Sequence, residues 1–380
     1  MPVNYHKHFT VNDDIIYLNH AAVSPWPVNT KNAVEAFAQD NCRFGSSHYP
    51  DWIKKETALR EKLATLVNAK DCNDIALVKN TSEGLSMVAF GYPWQAGDNV
   101  VIPENEFPSN RIVWEALKSK GVEVRQITIF PSDNPEKRLA QSMDKNTRIL
   151  SVSSVHYSNG LRLNLAQLGE ACKKNNTLFC IDAIQSIGAL QTDIEESQAD
   201  FVIADGHKWM LGPEGLALFY SHPEARDKLQ LNEYGWHMTE DPHNFTQPNW
   251  QVAKSARRFE CGSPNMLCSH ALYESIQLIL EYGLDHIEHK VLENSGLIHD
   301  YLASAKNLSC VSSHDQGRFA GIVSFRHASI PSYTLYSYLM ENKVMCADRD
   351  QAVRFSPHFY TDQKQIEFAL NLAENANTHI

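Results

Sequence analysis

The stretch Ala199-Asp-Phe-Val-Ile-Ala-Asp-Gly-His-Lys-Trp209 joins a short apolar run to a lysine that follows it almost directly. A second apolar run, Leu178-Phe-Cys-Ile-Asp182, ends in an aspartate 26 residues before Lys208. Both runs have the length and the side chains of buried strands. The carboxyl ends of parallel strands in an α/β sheet open onto one crevice, where ligands bind. The spacing therefore predicts that Lys208 and Asp182 face the same crevice.

Strand-like and helix-like segments alternate over most of the chain, which is typical of a mainly parallel sheet with helices on both faces. The strand-like segments are residues 75–78, 99–102, 122–127, 149–152, 178–181, 199–204 and 215–220. A stretch rich in glycine, proline and asparagine, roughly 232–250, ends the alternation. We predict an α/β fold with a seven-stranded large domain over residues 17–261. A smaller α+β domain would cover residues 262–380, with residues 1–16 packing near it.

The composition is that of an ordinary globular protein. A chain of 380 residues suggests two domains. The net charge of −11, from 34 basic and 45 acidic residues, argues against nucleic acid or an anionic membrane as a partner. No apolar run approaches the length of a membrane span, and no signal-peptide core begins the sequence. The eight cysteines have no paired spacing, so we expect reduced thiols and a cytoplasmic protein.

The Lys208–Asp182 pair has the chemistry that a pyridoxal 5'-phosphate (PLP) enzyme needs. The lysine can form a Schiff base with the cofactor, and the aspartate can keep the pyridine nitrogen protonated so that the ring accepts electrons. The sequence has no G-x-G-x-x-G after a strand, no Walker loop, no H-E-x-x-H, no C-x-x-C and no G-x-S-x-G elbow. We therefore predict PLP as the cofactor and no metal.

A phosphate site is predicted where a helix follows the strand at residues 75–78. Asn80-Thr-Ser-Glu-Gly84 has the spacing of a helix cap, and a helix N-terminus offers free N–H groups and a positive dipole to a phosphate. Thr81 and Ser82 would add hydroxyl donors, and His207 could donate as well. A well-capped helix and a structural histidine explain the same pattern, so this interpretation depends on the nearby lysine and aspartate.

Four other side chains are candidates for holding the ring or the substrate. Phe107 could lie flat on the pyridine ring, although anchoring of its loop in the core explains it as well. Gln185 could donate to the cofactor's phenolic oxygen. Arg354, between apolar neighbours, is the candidate clamp for a substrate carboxylate, which a guanidinium binds through two hydrogen bonds. His20 is a further candidate for the substrate pocket.

Taken together, these motifs resemble the class V aminotransferase group of fold-type I PLP enzymes. This group contains cysteine desulfurases, kynureninase and isopenicillin N epimerase-like proteins. The resemblance runs from Tyr17-Leu-Asn-His-Ala-Ala22 to Arg354-Phe-Ser-Pro-His-Phe-Tyr360. Its most specific part is Ile181-Asp-Ala-Ile-Gln-Ser-Ile-Gly188 followed by Asp205-Gly-His-Lys208.

The resemblance implies that eight side chains of one chain surround the cofactor: Thr81, Ser82, Phe107, Tyr157, Asp182, Gln185, His207 and Lys208. Among these, Lys208 would bond to PLP, Asp182 would hold the pyridine nitrogen and Gln185 the phenolic oxygen. Ser263, in the segment Arg258-Phe-Glu-Cys-Gly-Ser-Pro264, would reach the phosphate bound to the neighbouring subunit. This implies a homodimer with shared active sites.

Two departures from the family bear on the reaction. Cysteine desulfurases carry a nucleophilic cysteine on a mobile loop shortly before their Arg-x-Ser motif. Here the ten residues 344–353 leave no room for such a loop, and Cys346 lies in an apolar run that favours a buried structural thiol. We therefore expect no persulfide on the protein. Asp205 stands where several relatives have a small hydroxyl residue, so the phosphate site is expected to differ.

The expected function is that of a PLP-dependent enzyme acting on an amino acid or amine, with a class V aminotransferase placed first. A C–S lyase of desulfurase type and an epimerase are alternatives, because all three reactions begin with loss of the α-proton. An alternative of another class is a PLP-binding regulatory protein without turnover.

Overall fold

The structure, a computed structural model, describes residues 5–132, 134–246 and 248–376. Residues 1–4, predicted to pack near the smaller domain, and residues 377–380, predicted to end that domain, lie outside the described residues. In the described part of the chain, no helix is long and apolar enough to cross a membrane.

The strands and helices follow the alternation that the sequence predicts over the first two thirds of the chain. The strands are β1 Ile16–Tyr17, β2 Ile75–Val78, β3 Asn99–Pro103, β4 Glu123–Ile127, β5 Thr147–Ser153, β6 Leu178–Asp182, β7 Phe201–Asp205, β8 Ala217–Ser221, β9 Leu308–Cys310, β10 Val323–His327, β11 Val344–Met345, β12 Ala347–Arg349 and β13 Ala352–Phe355. The helices are α1 Val28–Phe44, α2 Tyr49–Leu66, α3 Thr81–Gly91, α4 Ser109–Glu115, α5 Pro135–Ser142, α6 Leu165–Asn175, α7 Ile194–Ser197, α8 Pro223–Arg226, α9 Met266–Tyr282, α10 Leu284–Ser304, α11 Ser332–Glu341 and α12 Gln363–Glu374.

The main sheet has seven strands in the order β2-β8-β7-β6-β5-β3-β4. Strands β3 to β7 run parallel, whereas β8 is antiparallel to both of its neighbours. Every residue of β2, β3, β6, β7 and β8 is buried, as expected for strands covered by helices on both faces. The predicted α/β fold with a mainly parallel seven-stranded sheet is confirmed.

Helix α3 is seated directly on strand β7. It begins at a cap in which Asn80 Oδ1 accepts a hydrogen bond from Glu83 N at 2.9 Å. A Cβ at Gly84 would lie 2.9 Å from a methyl carbon of Ile203, so only glycine permits this approach. The close packing holds the N-terminus of α3 beside the end of β7, where Asp205 lies.

A second sheet, in the antiparallel order β12-β13-β10-β9, covers a separate hydrophobic cluster near the end of the chain. Residues 16–19 add to this part of the molecule, because β1 pairs with β11 and Asn19 bridges to Ser356. A domain boundary between residues 261 and 262 stays a prediction. Helix α9 packs on α1 and α2 and belongs to the main core, which favours a boundary later in the chain.

Candidate active site

The carboxyl ends of three neighbouring strands line one crevice. Ser153 ends β5, Asp182 ends β6 and Asp205 ends β7, and Ser153 stands opposite Asp182 in the register of the two strands. Lys208 follows β7 in a turn closed by a hydrogen bond from Leu211 N to Lys208 O at 3.0 Å. Only 8% of the Lys208 surface is exposed. The crevice that the spacing predicts is therefore present, with the lysine at its floor.

Lys208 and Asp182 influence each other's charge. Burial lowers the pKa of Lys208 to about 8, Asp182 opposes this shift, and the positive charge of Arg354 adds to it. Burial raises the pKa of Asp182 to about 6, while a hydrogen bond from Ile184 N at 3.1 Å and the charge of Lys208 act against it. Both groups thus titrate close to neutral pH, which is typical of catalytic sites.

An aromatic pair covers the lysine. The centroid of the Phe107 ring lies 5.5 Å from Lys208 Nζ, and 39% of the Phe107 surface is exposed, so the ring is not ordinary core. Tyr157 meets Phe107 edge to face, with ring centroids 5.4 Å apart. The Tyr157 hydroxyl donates to Asp350 Oδ1 at 3.3 Å. These contacts hold Phe107 above the lysine, where a flat ligand would lie between them.

The predicted phosphate residues gather at the start of α3. Thr81 is buried and its Oγ1 accepts a hydrogen bond from Asp205 N at 3.2 Å. Ser82 is exposed, and its hydroxyl donates to Ser109 Oγ at 2.7 Å. His207 Nδ1 lies 2.9 Å from Asp205 Oδ1, but the two atoms are not aligned for a hydrogen bond, so neither has a partner. An unsatisfied imidazole nitrogen here suits an anionic ligand.

Arg354, on β13, reaches the same crevice from the second sheet. It is 2% exposed, and its Nη1 donates to Tyr157 O at 2.6 Å while Nε has no hydrogen-bond partner. Burial, together with the charge of the nearby Arg349, lowers its pKa to about 9. No carboxylate pairs with Arg354 among the residues that the structure describes. The guanidinium is therefore a buried cation with an unused donor.

Two predicted residues, His20 and Ser263, have no atom shown to be available in the crevice of this chain. Both nitrogens of His20 are used, by Ser356 O at 2.9 Å and the Tyr360 hydroxyl at 2.7 Å, and burial lowers its pKa to about 4. This fully buried ring has no nitrogen left for a ligand in this structure, so the assignment of His20 to the substrate pocket gains no support and stays a prediction. Ser263 is exposed, and its role toward a second subunit stays a prediction.

The Gln185 side-chain amide already forms hydrogen bonds within the protein. Its Nε2 donates to Ala21 O at 3.1 Å and its Oε1 accepts from Trp209 Nε1 at 2.9 Å. One N–H of the amide remains for the cofactor's phenolic oxygen, so the expected contact stays a prediction. The observed bonds tie the loop after β6 to the residue that follows Lys208.

Sequence reasoning missed Glu106, which precedes Phe107 and interacts with the charge of Asp182. It is 3% exposed and accepts hydrogen bonds from both the backbone N–H and the hydroxyl of Ser153. In the sequence it appears only as a loop glutamate, because its burial depends on the end of a strand 47 residues away.

The only group of three potential metal ligands in the described ranges lies elsewhere, at Glu56, His237 and Glu260. The Arg60 guanidinium donates to both glutamates and so fills the space that an ion would take. Both carboxylates are therefore already paired with a protein cation.

The crevice residues fit PLP. Asp182 has only one hydrogen bond to its carboxylate in the described chain, from Ile184 N, and can accept another from a pyridine N–H. No hydrogen bond occupies Lys208 Nζ among the same residues, His207 has an unsatisfied nitrogen, and Phe107 covers the lysine. These are the donors, acceptors and aromatic face that a phosphorylated pyridine aldehyde requires.

Comparisons with known proteins agree with this site. The family model described as Aminotransferase class-V matches residues 16–368. A probable cysteine desulfurase of Methanothermobacter thermautotrophicus is 26% identical over 93% of this chain and 92% of its own. The uncharacterized aminotransferase YcbU of Bacillus subtilis is also 26% identical, over 87% of this chain and 86% of its own.

Solved structures share the fold. Cysteine desulfurase from Thermococcus onnurineus in its apo form has a TM-score of 0.88 at 22% identity, covering 98% of this chain and 97% of the other. A C-DES mutant with glycine covalently linked to the PLP cofactor has a TM-score of 0.91 at 21% identity, covering 99% and 100%. The cystine C–S lyase C-DES in complex with cysteine persulfide has a TM-score of 0.88 at 22% identity, covering 96% and 98%.

The expected cofactor is confirmed at the level of the family, whose enzymes depend on PLP. The match covers both the segment that carries Lys208 and the segment that carries Arg354, so it spans the whole crevice. This chain belongs to the aminotransferase class-V family of PLP-dependent enzymes.

Proposed function

We propose that this chain is a PLP-dependent lyase that cleaves the carbon–sulfur bond of a sulfur-containing amino acid. The observation that carries the proposal is the crevice itself. In it, Lys208, whose pKa is lowered to about 8, lies close to Arg354, which is buried and has no ion-pair partner among the described residues. Relatives named as probable cysteine desulfurases, and a fold neighbour named as a cystine C–S lyase, favour sulfur chemistry over plain aminotransfer.

Arg354 would bind the substrate carboxylate through two charge-assisted hydrogen bonds, with Nε as one donor. Asp182 would accept the pyridine N–H, and Phe107 would exclude water from one face of the ring. When bound, PLP supplies an electron-accepting ring that makes the α-proton of the substrate acidic. Lys208 would hold the cofactor and, with a pKa near 8, would be the base that takes this proton at neutral pH.

The sulfur would leave with a small product rather than on the protein. Burial raises the pKa of the Cys346 thiol to about 12, and the thiol lies only 2% exposed beside the arginine. A thiol with such a pKa is a poor nucleophile at neutral pH. After loss of the α-proton, the Cα–Cβ bond gains the electron pair and the C–S bond breaks, giving a thiol or persulfide and, after hydrolysis, pyruvate and ammonia.

The oligomeric state and location are part of the same proposal. A homodimer would bring the exposed Ser263 of one subunit to the phosphate held by Thr81, Ser82 and His207 of the other. A cytoplasmic location is supported by eight cysteines that are all free thiols in this structure. Light scattering on the purified protein tests the dimer; a monomer that binds PLP tightly would contradict the role of Ser263.

The function is tested with a panel of amino acids that includes cystine, cysteine and alanine, measuring pyruvate, sulfane sulfur and transferred amino groups separately. We expect pyruvate and sulfur in equal amounts from cystine, and none from the Lys208→Ala variant. Amino-group transfer to a keto acid without sulfur release would favour the aminotransferase instead. A visible cofactor band that no amino acid perturbs would favour a regulatory protein.

A further inference from the structure

Glu106 continues the row of polar groups at the strand ends. Its Oε1 accepts from Ser153 N at 2.7 Å, and its Oε2 accepts from the Ser153 hydroxyl. Ser153 stands opposite Asp182 on the neighbouring strand. The three side chains thus cross the ends of β3, β5 and β6, which are adjacent in the sheet. The Glu106 carboxyl group is close enough to Asp182 for the charge of Asp182 to raise its pKa.

Hydrogen bonding to Ser153 alone does not require an acid at this position. A glutamine could accept the same backbone N–H, and burying a carboxylate is costly unless it is paired. No cation forms an ion pair with Glu106 in the part of the chain that the structure describes. Besides Ser153, the groups that act on Glu106 are Asp182, whose charge raises its pKa, and the side chain of Asn110, which lowers it.

We propose that Glu106 is a positioning residue whose negative charge strengthens the hold of Asp182 on a protonated pyridine nitrogen. The inference rests on the proposed PLP site. With the cofactor bound, the ring N–H and Asp182 form a neutral pair, and the second carboxylate makes the surroundings of the ring proton more negative. The ring then keeps its proton to a higher pH, which preserves its capacity to accept electrons.

The charge on Glu106 is itself sensitive to pH. Burial raises the pKa of Glu106 to about 7, the hydrogen bonds from Ser153 oppose this shift, and Asp182 reinforces it. Below pH 7 the residue is mostly neutral and behaves like a glutamine. Above pH 7 it carries a charge, so its contribution to the ring proton appears only on the alkaline side.

The test uses 4'-deoxypyridoxine 5'-phosphate, which has the ring nitrogen and the phosphate but no aldehyde and so cannot bond to Lys208. Its Kd is measured from pH 6 to pH 9.5 for the apo forms of the wild type and of Glu106→Gln. We expect equal affinity near pH 6 and a loss of about tenfold in the variant above pH 8.5, equivalent to a ring pKa lower by about one unit. Glu136→Gln is the control for the loss of a buried carboxylate outside the crevice: Glu136 also accepts a backbone N–H, from Asn164 at 2.7 Å, and differs from Glu106 in being paired with Arg318.

A loss of affinity in Glu106→Gln that is the same at every pH would overturn the proposal, since a purely structural role predicts that result. If this variant does not fold, Ser153→Ala replaces it. That variant keeps the carboxylate but removes a hydrogen bond that lowers the pKa of Glu106, so the alkaline gain in affinity should begin at a higher pH. An unchanged profile would equally overturn the proposal. A wild type that binds neither the analogue nor PLP at any pH refutes the proposed function instead.

Discussion

Replacement of Arg354 by methionine should remove amino acid turnover and yet leave the apo protein at least as stable as the wild type. The fall in the pKa of Arg354 to about 9 corresponds to a cost of about 5 kcal/mol for keeping the charged form in this buried position. Methionine removes that cost and fills a similar volume. The variant loses the hydrogen bond to Tyr157 O, which is worth about 1–3 kcal/mol when an acceptor is left unsatisfied. The free energy of unfolding should therefore stay level or rise by about 2–4 kcal/mol.

Catalysis should respond in the opposite direction. Two charge-assisted hydrogen bonds to a carboxylate are worth roughly 3–5 kcal/mol, so kcat/KM for an amino acid should fall by about 10²- to 10⁴-fold. An amine with the same side chain but no carboxylate never makes these bonds. Its kcat/KM should change by less than about threefold in Arg354→Met.

The assay combines urea unfolding of the apo proteins with kinetics on a matched amino acid and amine. Equal losses on the two substrates would refute the role of Arg354 as a carboxylate clamp and would indicate general damage to the crevice. A free energy of unfolding lower by more than about 2 kcal/mol would refute the argument that the buried charge is kept for binding. Arg162→Met, which removes an arginine already paired with Glu288 at 2.9 Å, is the control for loss of a guanidinium.

Three further outcomes are expected. The rate at which the apo protein captures PLP covalently, measured by stopped-flow absorbance, should increase as the pH rises through about 8. Only the neutral amine of Lys208 attacks the aldehyde, and burial lowers its pKa to that value. A rate that is the same from pH 7 to pH 9 would contradict this expectation. In Cys346→Ser the rate of sulfur release from cystine should stay within about twofold of the wild-type rate, since burial keeps the Cys346 thiol neutral. A loss above tenfold would indicate that the reaction passes through a persulfide on the protein. Glu260→Ala should lower the free energy of unfolding, measured by urea titration, by about 3 kcal/mol, because it removes two hydrogen bonds from the buried Arg60. Glu123→Ala, on the exposed edge strand, is the control and should change this free energy by less than about 0.5 kcal/mol.

The fold could be predicted from the sequence because short apolar runs and caps are local signals. The strand at Ile75–Val78 was expected at the same residues as observed, and the helix expected after the Asn80 cap begins at Thr81. Helix α1 gives a weaker local signal, because its single buried residue is Thr30 and no apolar face marks it in the sequence. The antiparallel direction of β8 gave no sequence signal, since a fully buried strand reads the same in either direction.

The site could be predicted only where a residue's role follows from its position at a strand end. Lys208, Asp182 and Phe107 belong to that class, and the structure brings them together. His20 could not be judged, because its ring nitrogens are used by Ser356 and Tyr360, more than 330 residues away in the chain. Long-range partners of this kind decide whether a histidine is free, and no local pattern reports them.

The electrostatics of the crevice explain why its chemistry depends on ligands. Burial moves the pKa of Lys208 and Arg354 down, and the pKa of Asp182 and Glu106 up, so each group is held closer to its neutral form than it would be in water. Each of these shifts is a free-energy cost of the charged form that a bound partner can recover. A pyridine N–H recovers it for Asp182, and a substrate carboxylate recovers it for Arg354. The negative charge that a substrate brings to Arg354 also removes an unfavourable interaction between Arg354 and Lys208, so a bound carboxylate should favour the protonated form of the Lys208 amine.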